Sequence, residues 1–381
     1  MVRILLLVAT LLGTTLLACG DGATGDDDDA DAGPEIDEGI AEVDEATPDV
    51  LEEDVADEAE EPEDVADDGA DEAEATGARL FSFALMTDLH IGEGVGDYGD
   101  PGWDDANGAE DDVTNTLRFA VGNVNFARTE YDIRFVIVTG DLSDSGERSE
   151  LLKARDILDQ LDVPYFPVLG NHDMWPYTGD VEAPGPVGDR VFEEVFAERF
   201  AELAVSFPSL TRAPTPSYNP ECGCEAHFQN YAFDYEGYHF IALDMVTRDH
   251  APLDYDGVTS EADLFDFEGG TWRWWTDHMA GYDGFGAYNT FIFSHHPPVV
   301  TTLGILDCLT LDEVDEINAM LRYGGYGGAV WGFFAGHHHV DYTLEGYQGQ
   351  NIVVTPAEKD GGTVRVMRLY DDGRVEYGTF L

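Results

Sequence analysis

Phe81–His90 reads FSFALMTDLH, and Arg134–Ser143 reads RFVIVTGDLS. Each begins as a short run of apolar, aromatic or β-branched residues and breaks at an aspartate. Runs of this length and composition predict buried strands, here Phe81–Leu89 and Arg134–Thr139. Helical patterns lie around the second run, over Val113–Tyr131 and Gly146–Leu161. The latter puts Leu151, Ala154, Leu158 and Leu161 on one stripe. Tyr165–Leu169 predicts a third short strand. Strand and helix therefore alternate, which predicts an α/β sheet with right-handed crossovers. After Trp175 the alternation breaks, and residues 176–226 read as an insertion of Pro-rich loops with one helix over Asp189–Phe207. Strands resume at Asn230–Asp234 and Tyr238–Leu243, and Gly270–Met279 reads as a helix. Thr290–Ser294, Val330–Ala335, Ile352–Thr355, Thr363–Leu369 and Val375–Thr379 read as strands. The last of these predict an antiparallel meander that closes the domain.

Five polar clusters sit where predicted strands end. They are Asp88-Leu89-His90, Gly140-Asp141 with Asp144, Gly170-Asn171-His172-Asp173, His295-His296-Pro297-Pro298, and Gly336-His337-His338-His339. Singly, each has a bland explanation: an Asp bonding its own turn, a cap, a stiff Pro loop, a surface histidine run. Together they do not. The chain has 11 histidines, and seven of them fall in these clusters. Histidines gathered at successive strand ends have no packing reason, because an unsatisfied imidazole is costly in a core. In open α/β sheets, sites collect at the carboxyl ends of strands. Asp and His are the oxygen and imidazole donors that suit iron, manganese or zinc. Residues at i and i+2 past a strand can grip one ion, Asp141 can bridge two, and Asn171 offers a neutral amide oxygen. Two ions about 3.5–4 Å apart hold a water as hydroxide and clamp both oxygens of a phosphoryl transfer.

The ordered set D-x-H, G-D, G-N-H-D, H-x-P and G-H-x-H resembles the calcineurin-like metallophosphoesterases, from Leu80 to the C-terminus apart from the insertion. The resemblance implies the metallo-dependent phosphatase fold, a four-layer αββα sandwich of two mixed sheets. It implies a hydrolase of phosphomonoesters or phosphodiesters holding two divalent or trivalent ions, whether Fe, Mn or Zn. Carried over by position, Asp88, His90 and His339 hold the first ion and Asn171, His295 and His337 the second, with Asp141 bridging. His296 is the rival of His295, and His338 is taken as a spacer. His172 stands outside the ligand shell, where it stabilises the transition state or protonates the leaving oxygen, and Asp173 orients it. Purple acid phosphatases carry a tyrosine where this chain has Asp144, and they lack the first-motif histidine that is His90 here. The motif style is closer to the class III cyclic nucleotide phosphodiesterases. A reading from a different class keeps the fold as a tethered, non-catalytic metal-binding or adhesion module, and the intact His172 argues against it. Tyr98, Trp103, Trp175 and Tyr177 fall on loops near the predicted metals, where loop packing is the simpler reading. Trp272, Trp274 and Trp275 read as core and rim packing.

The N-terminus carries a different message. Arg3 precedes an apolar run, Ile4–Leu17, which is too short to span a bilayer and fits a secretory signal. Leu16-Leu17-Ala18-Cys19 resembles the lipobox of bacterial lipoproteins, so residues 1–19 read as a signal peptide with Cys19 lipidated. Residues 20–78 hold no Lys, and neither an aromatic nor an Arg before Arg79, in a sequence dominated by Asp, Glu and Ala. Such a segment cannot offset its ordering entropy and reads as a disordered, self-repelling spacer. The catalytic domain is then 79–381, exported and anchored at the cell envelope, on the outer membrane, with membrane contact through Cys19 alone. Lys plus Arg number 18 against 79 Asp plus Glu, a formal net charge of −61. That balance excludes the basic footprint that nucleic acid or anionic lipid requires, leaving a small phosphate ester as the expected partner. Cys222 and Cys224 are too close in sequence to pair comfortably, so one of them bridging Cys308 is the expected disulfide.

Overall fold

The computed structural model describes residues 77–93, 112–174, 188–248, 261–299 and 308–381. The signal segment with Cys19, the spacer as far as residue 76, and Tyr98, Trp103, Trp175 and Tyr177 lie outside them.

The first three strands are β1 (Arg79–Met86), β2 (Ile133–Val138) and β3 (Tyr165–Pro167). They are parallel neighbours, joined through helices α1 (Asp112–Tyr131) and α2 (Arg148–Leu158). Short helix α3 (Asn171–Met174) follows β3, and α4 (Gly188–Ser206) is the helix expected in the insertion. The chain next forms β4 (Thr211–Arg212), the hairpin β5 (Ser217–Asn219) and β6 (Cys224–Ala226), and then β7 (Tyr231–Tyr235) and β8 (Tyr238–Leu243). Helix α5 (Thr271–Gly281), β9 (Thr290–Ser294), α6 (Leu311–Tyr323) and β10 (Val330–Ala335) follow. The chain ends in β11 (Tyr342–Tyr347), β12 (Gln350–Val354), β13 (Arg365–Tyr370) and β14 (Val375–Phe380).

Two mixed sheets result, one ordered β14-β13-β1-β2-β3 and the other β11-β12-β10-β9-β8-β7-β4. Side chains alternate across each strand, and the second sheet shows how that alternation makes layers. Phe240, Ala242, Phe291, Phe293, Phe334 and Val353 join the core of the first sheet, while Ile241, Leu243, Ile292, Phe333 and Ile352 face a second core. The layer between the sheets is largely aromatic. Phe83 of β1 meets Phe240, Phe291 and Phe293 with ring centroids 5.5, 6.0 and 6.0 Å away. The second core buries Trp275 of α5 with Val314, Ile317 and Leu321 of α6, and Trp272 and Trp274 pack partly buried against it. The expected α/β architecture with two mixed sheets is what the chain adopts.

Three features differ from the sequence reading. The C-terminal strands do not form one meander. β12 runs parallel to β10 in the second sheet, whereas β13 and β14 pair antiparallel in the first. Helix α6 was not anticipated, although Thr310 and Glu313 form a capping box at its start. The disulfide joins Cys222 to Cys224, and Cys308 remains a thiol. The two cysteines close because they lie at the turn of the β5–β6 hairpin, where Gly223 takes a φ of 64°. Their Cα atoms are brought within 5.3 Å, inside the range a disulfide spans.

Candidate metal centre

The five clusters all follow parallel strands: β1, β2 and β3 in one sheet, β9 and β10 in the other. Backbone bonds lock their loops together. Leu89 and His90 donate their N–H groups to the Asp141 carbonyl at 2.8 and 3.0 Å, and Gly336 donates to the His295 carbonyl at 3.1 Å. The sheets are joined through the Asp88 carboxylate, which accepts from the His337 N–H at 3.1 Å. Gly336 has to be glycine, because a Cβ there would sit 1.8 Å from Thr87 Oγ1 and 2.6 Å from Asp88 Oδ2.

The backbone at these positions is strained. Among the described residues, ten non-glycines have positive φ, and five of them are Asp88, His90, Asp141, His337 and His339. A left-handed residue other than glycine costs roughly 1–3 kcal/mol and persists only where its surroundings enforce it. Here the turn after each strand aims a donor at a common point.

Donor atoms of Asp88, His90, Asp141 and His339 all lie within 4.8 Å of one another. His90 Nε2 and His339 Nε2 are 3.2 Å apart, and His339 Nε2 lies 3.3 Å from Asp88 Oδ1. A second set with the same spacing is formed by His295, His296 and His337. Asp141 stands between the two sets, with Oδ2 3.6 Å from His90 Nε2 and 3.1 Å from His295 Nε2. Its other oxygen accepts the His172 backbone N–H at 2.9 Å, which places the buried Asn171, one residue earlier, beside it. Both sets are held from behind. His90 Nδ1 donates to Asp144 Oδ1 at 3.0 Å and His295 Nδ1 to the Thr139 carbonyl at 2.9 Å, so each presents Nε2 to the centre.

The charges agree with this arrangement. Burial pushes the Asp88 and Asp141 carboxyls up, yet the neighbouring His339 and His295 hold Asp88 below, and His295 and His172 hold Asp141 well below, the usual range. Burial and adjacent histidines hold His296 and His337 well below theirs, leaving neutral imidazoles. Buried carboxylates and neutral imidazoles at ligand spacing fit a pair of metal ions. Asp88, His90, Asp141 and His339 could hold one, and His295, His337 and Asn171 the other with Asp141 shared.

His172 lies beside His90, with ring centroids 4.4 Å apart. Its Nδ1 donates to the Asp144 backbone carbonyl at 2.6 Å. The Asp173 carboxylate accepts from Ser143 N, Ser143 Oγ and Gly170 N at 2.8, 2.9 and 2.9 Å. Burial, with Asp141 close by, pushes that carboxyl up to about 7. Asp173 thus braces the loops after β2 and β3, and Asp144 takes the orienting contact that the sequence reading gave to Asp173. Two further residues gained significance only in three dimensions. Asp144 touches both His90 and His172, and its place three residues after Asp141 was the available signal. Glu261 brings Oε2 to 3.7 Å from His337 Nε2, and nothing in its sequence context pointed there.

A model described as calcineurin-like phosphoesterase matches residues 81–341. No curated protein sequence matches the chain. Among solved structures, a dimetal phosphatase from Danio rerio aligns over 77% of this chain and 94% of its own, at 15% identity and a TM-score of 0.50. A putative 5'-nucleotidase from Staphylococcus aureus aligns over 79% of this chain and 53% of its own, at 15% identity and a TM-score of 0.41. A 5'-nucleotidase from Candida albicans does so over 80% and 53%, at 13% identity and a TM-score of 0.42. The chain spans about half the length of these two nucleotidases. At such identities the likeness is one of fold.

Proposed function

This chain belongs to the calcineurin-like phosphoesterase family, and we propose that it hydrolyses small phosphomonoesters or phosphodiesters at a two-metal site. The observation that carries the proposal is the shared carboxylate: Asp141 Oδ2 faces His90 Nε2 on one side and His295 Nε2 on the other. Asp88, His90 and His339 are assigned to the first ion, Asn171, His295 and His337 to the second, and Asp141 to both. When bound, such a pair neutralises phosphoryl charge and activates water. The chain's own groups do the rest. With Nδ1 tied to the Asp144 carbonyl, His172 presents Nε2 to the substrate, where it handles the proton of the leaving oxygen. Asp173 keeps Ser143 and Gly170, and with them the two loops that carry Asp141 and Asn171, in register.

The test is metal analysis of the purified protein with a substrate panel. Loaded with Mn, Fe or Zn, it should turn over aryl phosphates, their diesters or cyclic nucleotides, and Asn171→Ala should lose most of that turnover. No turnover by any loaded form, with Asn171→Ala behaving identically, ends the proposal. We also place the enzyme outside the cytoplasm, anchored through Cys19. Support for this comes from the apolar run and the lipobox-like Leu16–Cys19. Cys19→Ser should release the protein from the membrane fraction, and continued sedimentation with membranes would remove the anchor from the account.

A further inference from the structure

Beside His337 lies a group of donors that the two-metal assignment does not use. Cys308 is buried, at 2% exposure, and its Sγ is 3.4 Å from His338 Nε2. The other nitrogen of His338 hydrogen-bonds the Tyr342 hydroxyl at 2.8 Å. That contact turns Nε2 toward the sulfur, in the way an outer partner orients a metal-ligating imidazole. Donor atoms of Cys308, His337 and His338 all lie within 4.8 Å of one another. Tetrahedral zinc, with Zn–S of about 2.3 Å and Zn–N of about 2.0–2.1 Å, separates a sulfur from a nitrogen ligand by roughly 3.5 Å. The observed 3.4 Å matches that edge.

His296 makes an independent case for a ligand here. It is 1% exposed, and neither ring nitrogen has a hydrogen-bond partner. Its ring centroid is 4.3 Å from that of His337, and its donor atom joins those of His295 and His337 within 4.8 Å. A buried imidazole with both nitrogens unbonded is costly unless something fills the gap.

We propose that Cys308 and His338, with a further imidazole from His296 or His337, form a third metal position that takes zinc. The thiolate makes the donor set softer than the oxygen-rich set around Asp88, and a thiolate–imidazole pair suits zinc. On binding, the Cys308 thiol releases its proton to solvent and a sulfur–zinc bond forms. The site is independent of any hydrolytic activity.

Cobalt(II) titration of the full chain, followed in the near ultraviolet, tests it. Cobalt held by a thiolate gives a sulfur-to-metal charge-transfer band that oxygen and nitrogen ligands do not give. Wild-type protein should show the band, and Cys308→Ala should lack it and carry about one zinc fewer per chain. His338→Gln keeps the thiol and should lose the same ion, so a folding defect in one variant does not decide the matter. A wild-type spectrum without the band, or equal zinc content in all three proteins, overturns the proposal. Because the readout is the metal, failure of the protein to hydrolyse phosphate esters would leave this result standing.

Discussion

Asp144 shows how much of a site rests on residues that hold ligands. Its carboxylate takes the Nδ1 proton of His90, and its backbone carbonyl takes that of His172. Asp144→Ala removes the first contact and leaves the second. Loss of such an outer partner typically costs 10–100-fold in metal affinity. The variant should therefore need that much more metal for half-maximal activity and regain its turnover at saturation. An unchanged metal midpoint, or a turnover that saturating metal fails to restore, would show that Asp144 does something else. A different buried acid sets the response to pH. Glu358 is fully buried with both carboxylate oxygens lacking a hydrogen-bond partner, and burial pushes its carboxyl from the ordinary 4.5 up to about 8. The folded chain thus keeps a proton that the unfolded chain has released. Its contribution to stability is full below 4.5, falls as pH rises toward about 8, and then levels off. The slope is roughly 1.4 kcal/mol per pH unit. Glu358→Gln cannot ionise, so urea unfolding of variant and parent should diverge in the variant's favour between about pH 5 and 8. Parallel stability curves would reject this reading. The residues themselves were unevenly legible in the sequence. Asp88, His90 and Asp141 announced themselves by type and by position at a strand's end. Asp144 and Asp173 exchanged roles, because which turn residue reaches a histidine depends on how the turn is folded. Glu261 and Glu358 gave no sign, since each acquires its character from distant segments.

Elements were legible where periodicity speaks and illegible where pairing decides. The runs around β1, β2, β8 and β9 read as strands because apolar and β-branched residues crowd them, and the structure puts them in the middle of the two sheets. Their partners could not be read. Ile352–Val354 and Val366–Leu369 are equally buried, and only the folded chain assigns the first to β10 and the second to β1. Strand β11 escaped notice because it is half-exposed along its length, with Gly346 inside it. The cysteine pairing failed for a related reason, since sequence separation alone does not reveal a hairpin turn. Where the sheets meet, the aromatic layer carries a measurable load. Phe135 of β2 is fully buried, stacked on Phe83 at 5.5 Å and edge-on to Phe240 of the opposite sheet at 5.2 Å. Phe135→Ala should cost about 3–5 kcal/mol, because the cavity lies between two sheets that cannot both collapse onto it. Phe135→Leu keeps more of the volume and should cost clearly less. Denaturant midpoints at unchanged slope measure both. A cost under about 1 kcal/mol for the alanine variant would mean that the sheets close the gap.

At the scale of the whole molecule, the net charge of −61 governs how substrate arrives. Two fields compete for an anionic phosphate ester. The protein as a whole repels it, and that repulsion acts over a Debye length of about 10 Å at 0.1 M salt and only about 3 Å at 1 M. A bound metal pair attracts it, but from within the centre and at short range, where salt screens little. The long-range field sets the encounter rate, and the short-range one sets what happens after contact. Added salt should therefore remove the repulsion while sparing the attraction. The expected result is a kcat/KM for an anionic ester that rises with NaCl while kcat stays level. That sign is opposite to enzymes that steer anions with a basic rim, where salt slows capture. A neutral triester inhibitor should bind with no such dependence, which separates screening from a general effect of salt on the fold. A kcat/KM that falls with NaCl would show that the local field of the metals already dominates at a distance, and that the acidic surface has no part in selecting the substrate.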